Sequence, residues 1–402
     1  MSRIYVGVDV SKYKFDACVK NDDNDLLIKH RTYDQSMDGM DRFIHDIEAT
    51  KTDGSDNIII GLESTGIYHR NLMGYMLKFG YNVREFNPIE IYGLRKGRIR
   101  KTKTDRIDAE VITNAIKLDA MENTERYLQN EEHMRMRELG LIYNRLTEKS
   151  AKLKTELRSA LTVLCPGYDI LFTDVLGKSS KEILRRSIKH TKLFEISEQE
   201  IEQILRKNFM RGSSVQDLPR KILETFEKST LPQYYRESLI VDVRFTLDQH
   251  DLLKKQISQL ESRMERVMRE IDPISLSIPG IGSVTCAIIL GTLGNVKRFH
   301  NSSAVVAYAG LDPIVHQSGK SVNLTGHISK RGNKYLRKSL CNAAIVAIRH
   351  NPVIKKKYAD LRKRGKPHLV ALTACARKLL MIIYSVEKNQ KRFYVPKHIL
   401  NE

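Results

Sequence analysis

Between Ile4 and Tyr33 short apolar runs alternate with turn-forming residues: IYVGVDV, FDACVK and LLIKHRTY, the last two separated by NDDND. Asn, Asp and Gly disfavour strand interiors and favour turns, so this pattern predicts a three-stranded meander. A helical stretch follows near Met37–Ala49, then NIIIGLE, a continuous apolar run suited to a buried parallel strand. Next the pattern predicts a helix near Ile67–Phe79, a strand in NVREFN and a helix after Pro88.

The resulting order, β-β-β-α-β-α-β-α, is that of an α/β ribonuclease-H-like fold. A basic stretch, RKGRIRKTKTD, then leads into a helix starting near Asp105 and reads as a solvated loop facing nucleic acid. From Glu131 to Leu164 the period is helical, with Leu139, Ile142, Leu146 and Leu153 on one stripe. A second long helix carries Leu253, Ile257, Leu260, Met264, Val267 and Ile271 in steps of four and three. That heptad seam suits a coiled-coil hairpin, a dimer contact, or a helix packed on its own domain. Residues 165–245 look mixed helical and polar. From Pro273 onward the chain reads as mostly α. The predicted organisation is 1–125, an RNase H-like (RuvC-like) α/β domain; 126–270, a helical coiled-coil middle; and 271–402, a mostly α basic domain.

Charge changes the picture. The 402 residues carry a formal net charge of +20. Residues 271–402 hold 22 Lys and Arg against 5 Asp and Glu, a surplus of +17. Such a surplus disfavours compaction unless a polyanion neutralises it, so the last third reads as a nucleic-acid surface. Five scattered cysteines without CxxC spacing argue against a disulfide framework and a structural zinc site. No stretch approaches the roughly 18–20 uncharged apolar residues of a membrane span. The expectation is a cytoplasmic protein, nucleoid-associated in action, with no membrane partner.

Four acids stand in suggestive places. Asp9 ends the first apolar strand in VGVDVSK, Glu63 ends the buried run IIIGLESTG, and Asp105 and Asp108 open a helix in TKTDRIDAE. A spacing of three puts the last two on one helical face. Converging carboxylates supply the hard oxygen ligands that Mg²⁺ or Mn²⁺ needs for phosphodiester chemistry. Singly, each has a plain structural role: a turn residue, a cap neighbour, charges on a helix dipole.

GVDVSKYKFDACV, GLESTGIYH and KTKTDRIDAEVI resemble the motifs of the DEDD insertion-sequence transposases, the insertion sequence 110 group, and of the related Piv-type invertases. The resemblance continues in IPGIGSVTCAIILGTLG, FHNSSAVVAYAGLDP, QSGK and GHISKRGNKYLRK, which are similar to the family's C-terminal domain. It implies a metal-binding tetrad at Asp9, Glu63, Asp105 and Asp108. It also implies a serine nucleophile that links covalently to DNA, carried by position onto Ser318, with Ser329 as second candidate. Further implications are double-stranded donor and target DNA, a guide (bridge) RNA that chooses sequence, and a homo-oligomer, dimer or tetramer. Phosphate contacts are expected from Arg98, Arg100, Lys101, Lys103, Lys320, Lys330, Arg331, Lys334, Arg337 and Lys338, and from KKKYADLRKRGKPH. IPGIG also resembles a helix-hairpin-helix turn, whose glycines let backbone approach phosphate.

Rival readings are a Holliday-junction-type nuclease, in which metal-activated water attacks, and a site-specific invertase. A sugar-kinase-like ATP-binding protein shares a hairpin like VGVDVSKYKF but needs a later Gly-rich adenosine motif, which the sequence lacks. A non-catalytic binding protein is disfavoured by the presence of all four acids.

Overall fold

The meander forms as β1 (Arg3–Val10), β2 (Lys14–Asn21) and β3 (Leu26–Asp34), followed by β4 (Asn57–Glu63) and β5 (Asn82–Phe86). In this computed structural model the described residues are 3–52, 57–63, 66–86, 91, 105–122, 131–188, 195–208, 214–228, 230–317, 323–330 and 332–396. The strands form one mixed sheet of order β3-β2-β1-β4-β5, antiparallel among the first three in sequence and parallel across β1, β4 and β5. This arrangement is RNase H-like. A tight turn sets the hairpin register: Ser11 N donates to the Lys14 carbonyl at 2.9 Å, leaving Val10 opposite Phe15 and Asp9 opposite Asp16.

Strand side chains alternate between faces, and the two faces have different fates. Ile4, Val6, Val8 and Val10 pack with Ile60, Leu62, Phe43, Ile47, Leu72 and Met76. That side is covered by α1 (Met37–Glu48), capped by the Ser36 hydroxyl, and α2 (His69–Lys78). The opposite face, with Tyr5, Ile59 and Phe86, meets Val111, Ile112 and Ile116 of α3 (Asp105–Glu122). A Cβ on Gly7 would stand 2.2 Å from Thr113 N and 2.4 Å from Ala109 O, so only glycine lets α3 lie this close to β1. Polar bonds fasten the same contact: Thr113 Oγ1 reaches the Cys18 carbonyl at 3.1 Å, and Lys20 Nζ donates to Asn114 Oδ1 at 3.0 Å. The helix expected after Pro88 falls outside the described residues apart from Ile91, which is helical and buried.

The chain divides into two compact units: Met1–Arg135 with Pro273–Glu402, and Met136–Asp272. The second unit holds most of α4 (Glu131–Leu164), then α5 (Lys178–Ser187), α6 (Glu198–Lys207), α7 (Ser214–Glu227) and α8 (Gln233–Ile271). Its core includes Leu161, Leu164, Tyr168, Ile183, Leu205, Ile222, Val243 and Leu247, so the described residues between 165 and 245 are a folded helical body. The stripe expected on α4 is only partly inward. Leu139 and Leu153 are buried, but Ile142 is exposed, and the inward position is taken by Asn144, which donates to the Gly140 carbonyl at 2.9 Å. On α8 the heptad positions are buried (Ile257, Met264, Val267) or half-buried (Leu253, Leu260, Ile271) within the chain itself. Tyr143 Oη reaches Glu261 Oε1 at 3.2 Å.

The C-terminal region is mainly helical: α9 (Ser283–Leu293), α10 (Ser302–Ala309), α11 (Lys334–His350), α12 (Pro352–Lys363) and α13 (His368–Asn389). It also contains a hairpin that composition concealed, β6 (Pro313–Gln317) and β7 (Asn323–Ile328). By length and composition alone, α13 is long and apolar enough to cross a membrane, although Arg377 and Lys378 interrupt its apolar run. Its apolar length is the bundle's core: Leu372, Cys375, Leu379, Leu380 and Ile383 are buried. In IPGIG, Gly280, at φ 98°, lies against α11, where a Cβ would come within 2.6 Å of Ala347 Cα. Gly282, which opens α9, has nothing within 4 Å of its would-be Cβ.

Candidate active site

The carboxyl ends of β1 and β4 bring two of the expected acids together. Their register runs Gly7 with Gly61 and Val8 with Leu62, so Asp9 and Glu63 come next in line, on the face that α3 covers. Asp9 is half-buried and Glu63 is buried. The helix runs down the sheet from this end. Ala109 and Thr113 lie over Gly7, Ile112 and Ile116 over Gly61, and Lys117 over the Tyr5 ring at the other end of β1. Two strand residues span about 6.6 Å, and four helix residues about 6 Å. Stepping from Gly7 to Asp9 therefore corresponds to stepping from Thr113 and Ala109 back toward Asp108 and Asp105.

Asp108 is buried, and its side chain has interactions of its own there. Asp105 opens α3, and its side chain lies outside the described residues. Among the described residues no three His, Cys, Asp or Glu side chains stand close enough to hold a metal ion.

One row crosses the whole sheet here: Thr32 pairs with Asp16, Asp16 with Asp9, and Glu63 with Phe86. Asp16 was not singled out from the sequence. It is buried; its Oδ1 accepts from Thr32 Oγ1 at 2.5 Å and lies 2.7 Å from His30 Nε2. No motif marks it: the register set by the short turn after Val10 is what brings it opposite Asp9. On the opposite face, buried His69 lies with its Nε2 3.3 Å from Oε1 of half-buried Glu85, which pairs with Leu62 one position before Glu63.

The second expected site is the β6–β7 hairpin. Ser318 follows β6 and lies outside the described residues, as do Lys320 and Arg331, and Arg98, Arg100, Lys101 and Lys103 of the basic stretch. Ser329 follows β7; its Oγ donates to Asp312 Oδ1 at 2.6 Å and its N to the Asp312 carbonyl at 2.8 Å, closing the hairpin's base. Arg337 donates from Nη1 to the carbonyls of Gly332 at 2.6 Å and Ala309 at 3.1 Å. Burial lowers its guanidinium pKa from the ordinary value. Lys330, Lys334 and Lys338 are exposed around this base, as are Lys355, Lys357 and Lys363 of α12.

Two family models match the two ends of the chain. A DEDD transposase model matches residues 6–166, and the model described as Transposase IS116/IS110/IS902 family matches residues 273–359, together well over half of the chain. The chain belongs to the IS110 family of transposases. As a member of that family it is a DNA strand-cleaving enzyme, and a DEDD domain of this kind works with divalent cations.

Relatives of this transposase include a pilin gene-inverting protein of Moraxella lacunata, 25% identical over 98% of both chains. The uncharacterized 43.6 kDa protein of insertion element IS110 from Streptomyces coelicolor is 24% identical over 71% of both chains. The transposase for insertion sequence element IS1111A of Coxiella burnetii is 36% identical over 29% of this chain and 33% of its own.

Proposed function

We propose that this transposase cuts and rejoins DNA between a mobile element and its target, with Ser318 as the nucleophile and Asp9, Glu63, Asp105 and Asp108 holding Mg²⁺ or Mn²⁺. The observation that carries the reading is the shared placement of Asp9, Glu63 and the start of α3 at one end and one face of the sheet. The donor set fits the cation: all are hard carboxylate oxygens, and Glu63 and Asp108 are buried. The bound cation would supply charge neutralisation at the scissile phosphate. The chain's own part is to hold four carboxylates on a strand-and-helix support, and to deliver a hydroxyl from a cation-rich hairpin.

Between the two serines, Ser329 already spends its hydroxyl proton on Asp312, which favours Ser318. The exposed lysines flanking the hairpin supply phosphate contacts, which give affinity rather than sequence choice. Sequence choice by a guide RNA, and assembly as a dimer or tetramer in which one subunit's serine works at another's carboxylates, complete the proposal.

The test is a suicide substrate carrying element ends, incubated with wild type, Ser318→Ala and Asp9→Asn and resolved on a denaturing gel. A protein–DNA adduct is expected from wild type alone. Nicked DNA without adduct would replace this reading with a water-attacking, junction-type nuclease. A second reading, site-specific inversion, is favoured by the full-length match to the pilin gene-inverting proteins. A plasmid with the ends in opposed orientation separates them, since inversion keeps the plasmid's length and insertion does not.

A further inference from the structure

We propose that Asp16 is a positioning carboxylate for Asp9 that raises the affinity of the sheet-end acids for their divalent cation, an inference that rests on the metal reading above. Asp16 and Asp9 are direct partners in the β1–β2 ladder, so both side chains leave the same face. That face is the one beneath α3, as the bonds from the Lys20 side chain, further along β2, to Glu110 and Asn114 establish.

Asp16 is only 2% exposed. A carboxylate so buried is costly unless donors hold it, and three groups do. Thr32 and His30 both take Oδ1, while among the described residues Oδ2 meets only Lys14, at 3.4 Å. The Lys14 side chain is 45% exposed, so water screens its charge far more than it screens the buried carboxylate. Packing does not call for an acid here: Phe15 and Ala17, its neighbours in β2, supply the apolar contacts on the other face.

What the arrangement produces is a fixed negative charge beside Asp9. Two carboxylates at cross-strand spacing repel, and a cation at Asp9 relieves that repulsion. The buried Asp16 therefore deepens the electrostatic well in which the cation sits. The Thr32 and His30 clasp keeps it from swinging away.

The experiment measures Mn²⁺ binding to the full-length protein without DNA, from the free-Mn²⁺ electron paramagnetic resonance signal, with metal-free melting as the folding control. Asp16→Asn should bind Mn²⁺ at least tenfold more weakly while melting no lower than wild type. Thr32→Val, which keeps the charge but opens the clasp, should weaken binding several-fold, and Thr32→Ser should restore it. Strand cleavage by both weakened variants should recover at high Mn²⁺, which a merely structural role would not give.

Asp9→Asn tells the two ideas apart. If it binds Mn²⁺ normally, the tetrad reading fails. If it loses binding while Asp16→Asn and Thr32→Val bind as wild type does, the role given to Asp16 is overturned. Should Asp16→Asn fail to fold, Thr32→Val decides alone, because Thr32 is exposed and its substitution disturbs no core.

Discussion

Ser329 and Asp312 are joined twice, hydroxyl to carboxylate at 2.6 Å and amide to carbonyl at 2.8 Å, and the pair closes the base of the β6–β7 hairpin. A hydroxyl committed in this way is a structural clasp first. Losing a half-buried bond to a charged acceptor costs about 1–2 kcal/mol. Ser329→Ala should therefore lower the melting temperature by a few degrees yet still form the protein–DNA adduct. Ser318→Ala should melt as wild type does and form none. The opposite pattern on a denaturing gel would move the nucleophile to Ser329.

Gly7 links packing to the carboxylates. A methyl group there would collide with the Thr113 nitrogen and the Ala109 carbonyl, backbone atoms that cannot swing aside. Gly7→Ala should push α3 off the sheet, separate Asp108 from Asp9, and cost more than the 1–3 kcal/mol of ordinary overpacking. Gly74→Ala is the control: it sits in α2 with nothing within 4 Å of its would-be Cβ. It should stabilise the protein by about 0.5–1 kcal/mol through helix propensity. Melting curves with cleavage assays at a permissive temperature check both, and normal cleavage by folded Gly7→Ala would refute the link.

These contacts show what the sequence could and could not reveal. The meander, the parallel strands and the α8 seam were legible because apolar runs bounded by turn-forming residues, and a heptad spacing, survive in the order of residues. The positions of Asp9 and Glu63 at strand ends followed from the same runs. Asp16 was hidden because its partnership with Asp9 is a matter of register, fixed by the Ser11–Lys14 turn rather than by any motif. The β6–β7 hairpin was hidden because five- and six-residue strands beside a Ser/Gly/Lys segment have the composition of a loop. Ile142 misled because one polar residue, Asn144, finds a partner inside the turn of its own helix and takes the inward place.

Arg337 and the exposed lysines should behave differently toward DNA. Arg337 is spent on two backbone carbonyls, so Arg337→Ala should lower stability more than affinity. Lys355, Lys357 and Lys363 are exposed on α12 and available to phosphate. If all three meet backbone, replacing them by Ala should reduce the steepness of log K against log salt by about 2–3, at roughly 0.9 per phosphate contact. Fluorescence anisotropy from 50 to 300 mM salt measures this. An unchanged slope would mean that α12 is not the DNA face.

Stability should fall on mild acidification, and two histidines set the window. His250 of α8 is buried, with Nδ1 3.7 Å from Asp251 Oδ1 and no hydrogen bond. Burial, and then the Lys181 ammonium, push its pKa below the ordinary value, with Lys254 acting in the same sense and Asp251 against them. His133 shifts the same way, through burial and then, against the pull of Glu132, the Arg298 guanidinium. Unfolded, each takes up its proton near pH 6.5; folded, each resists until the pH is lower. The unfolded chain therefore binds more protons in that interval, and stability is lost as pH falls through it. Asp251 does not confuse the window: although burial works against it, Lys181 and Arg185 hold its carboxyl below the usual range, so its loss comes at lower pH. Urea midpoints should thus be flat from pH 8 to 7 and decline between pH 6.5 and 5. His250→Gln should flatten part of the decline, and His133→Gln with it most of the rest. An equally steep fall in the double variant would assign the acid sensitivity elsewhere.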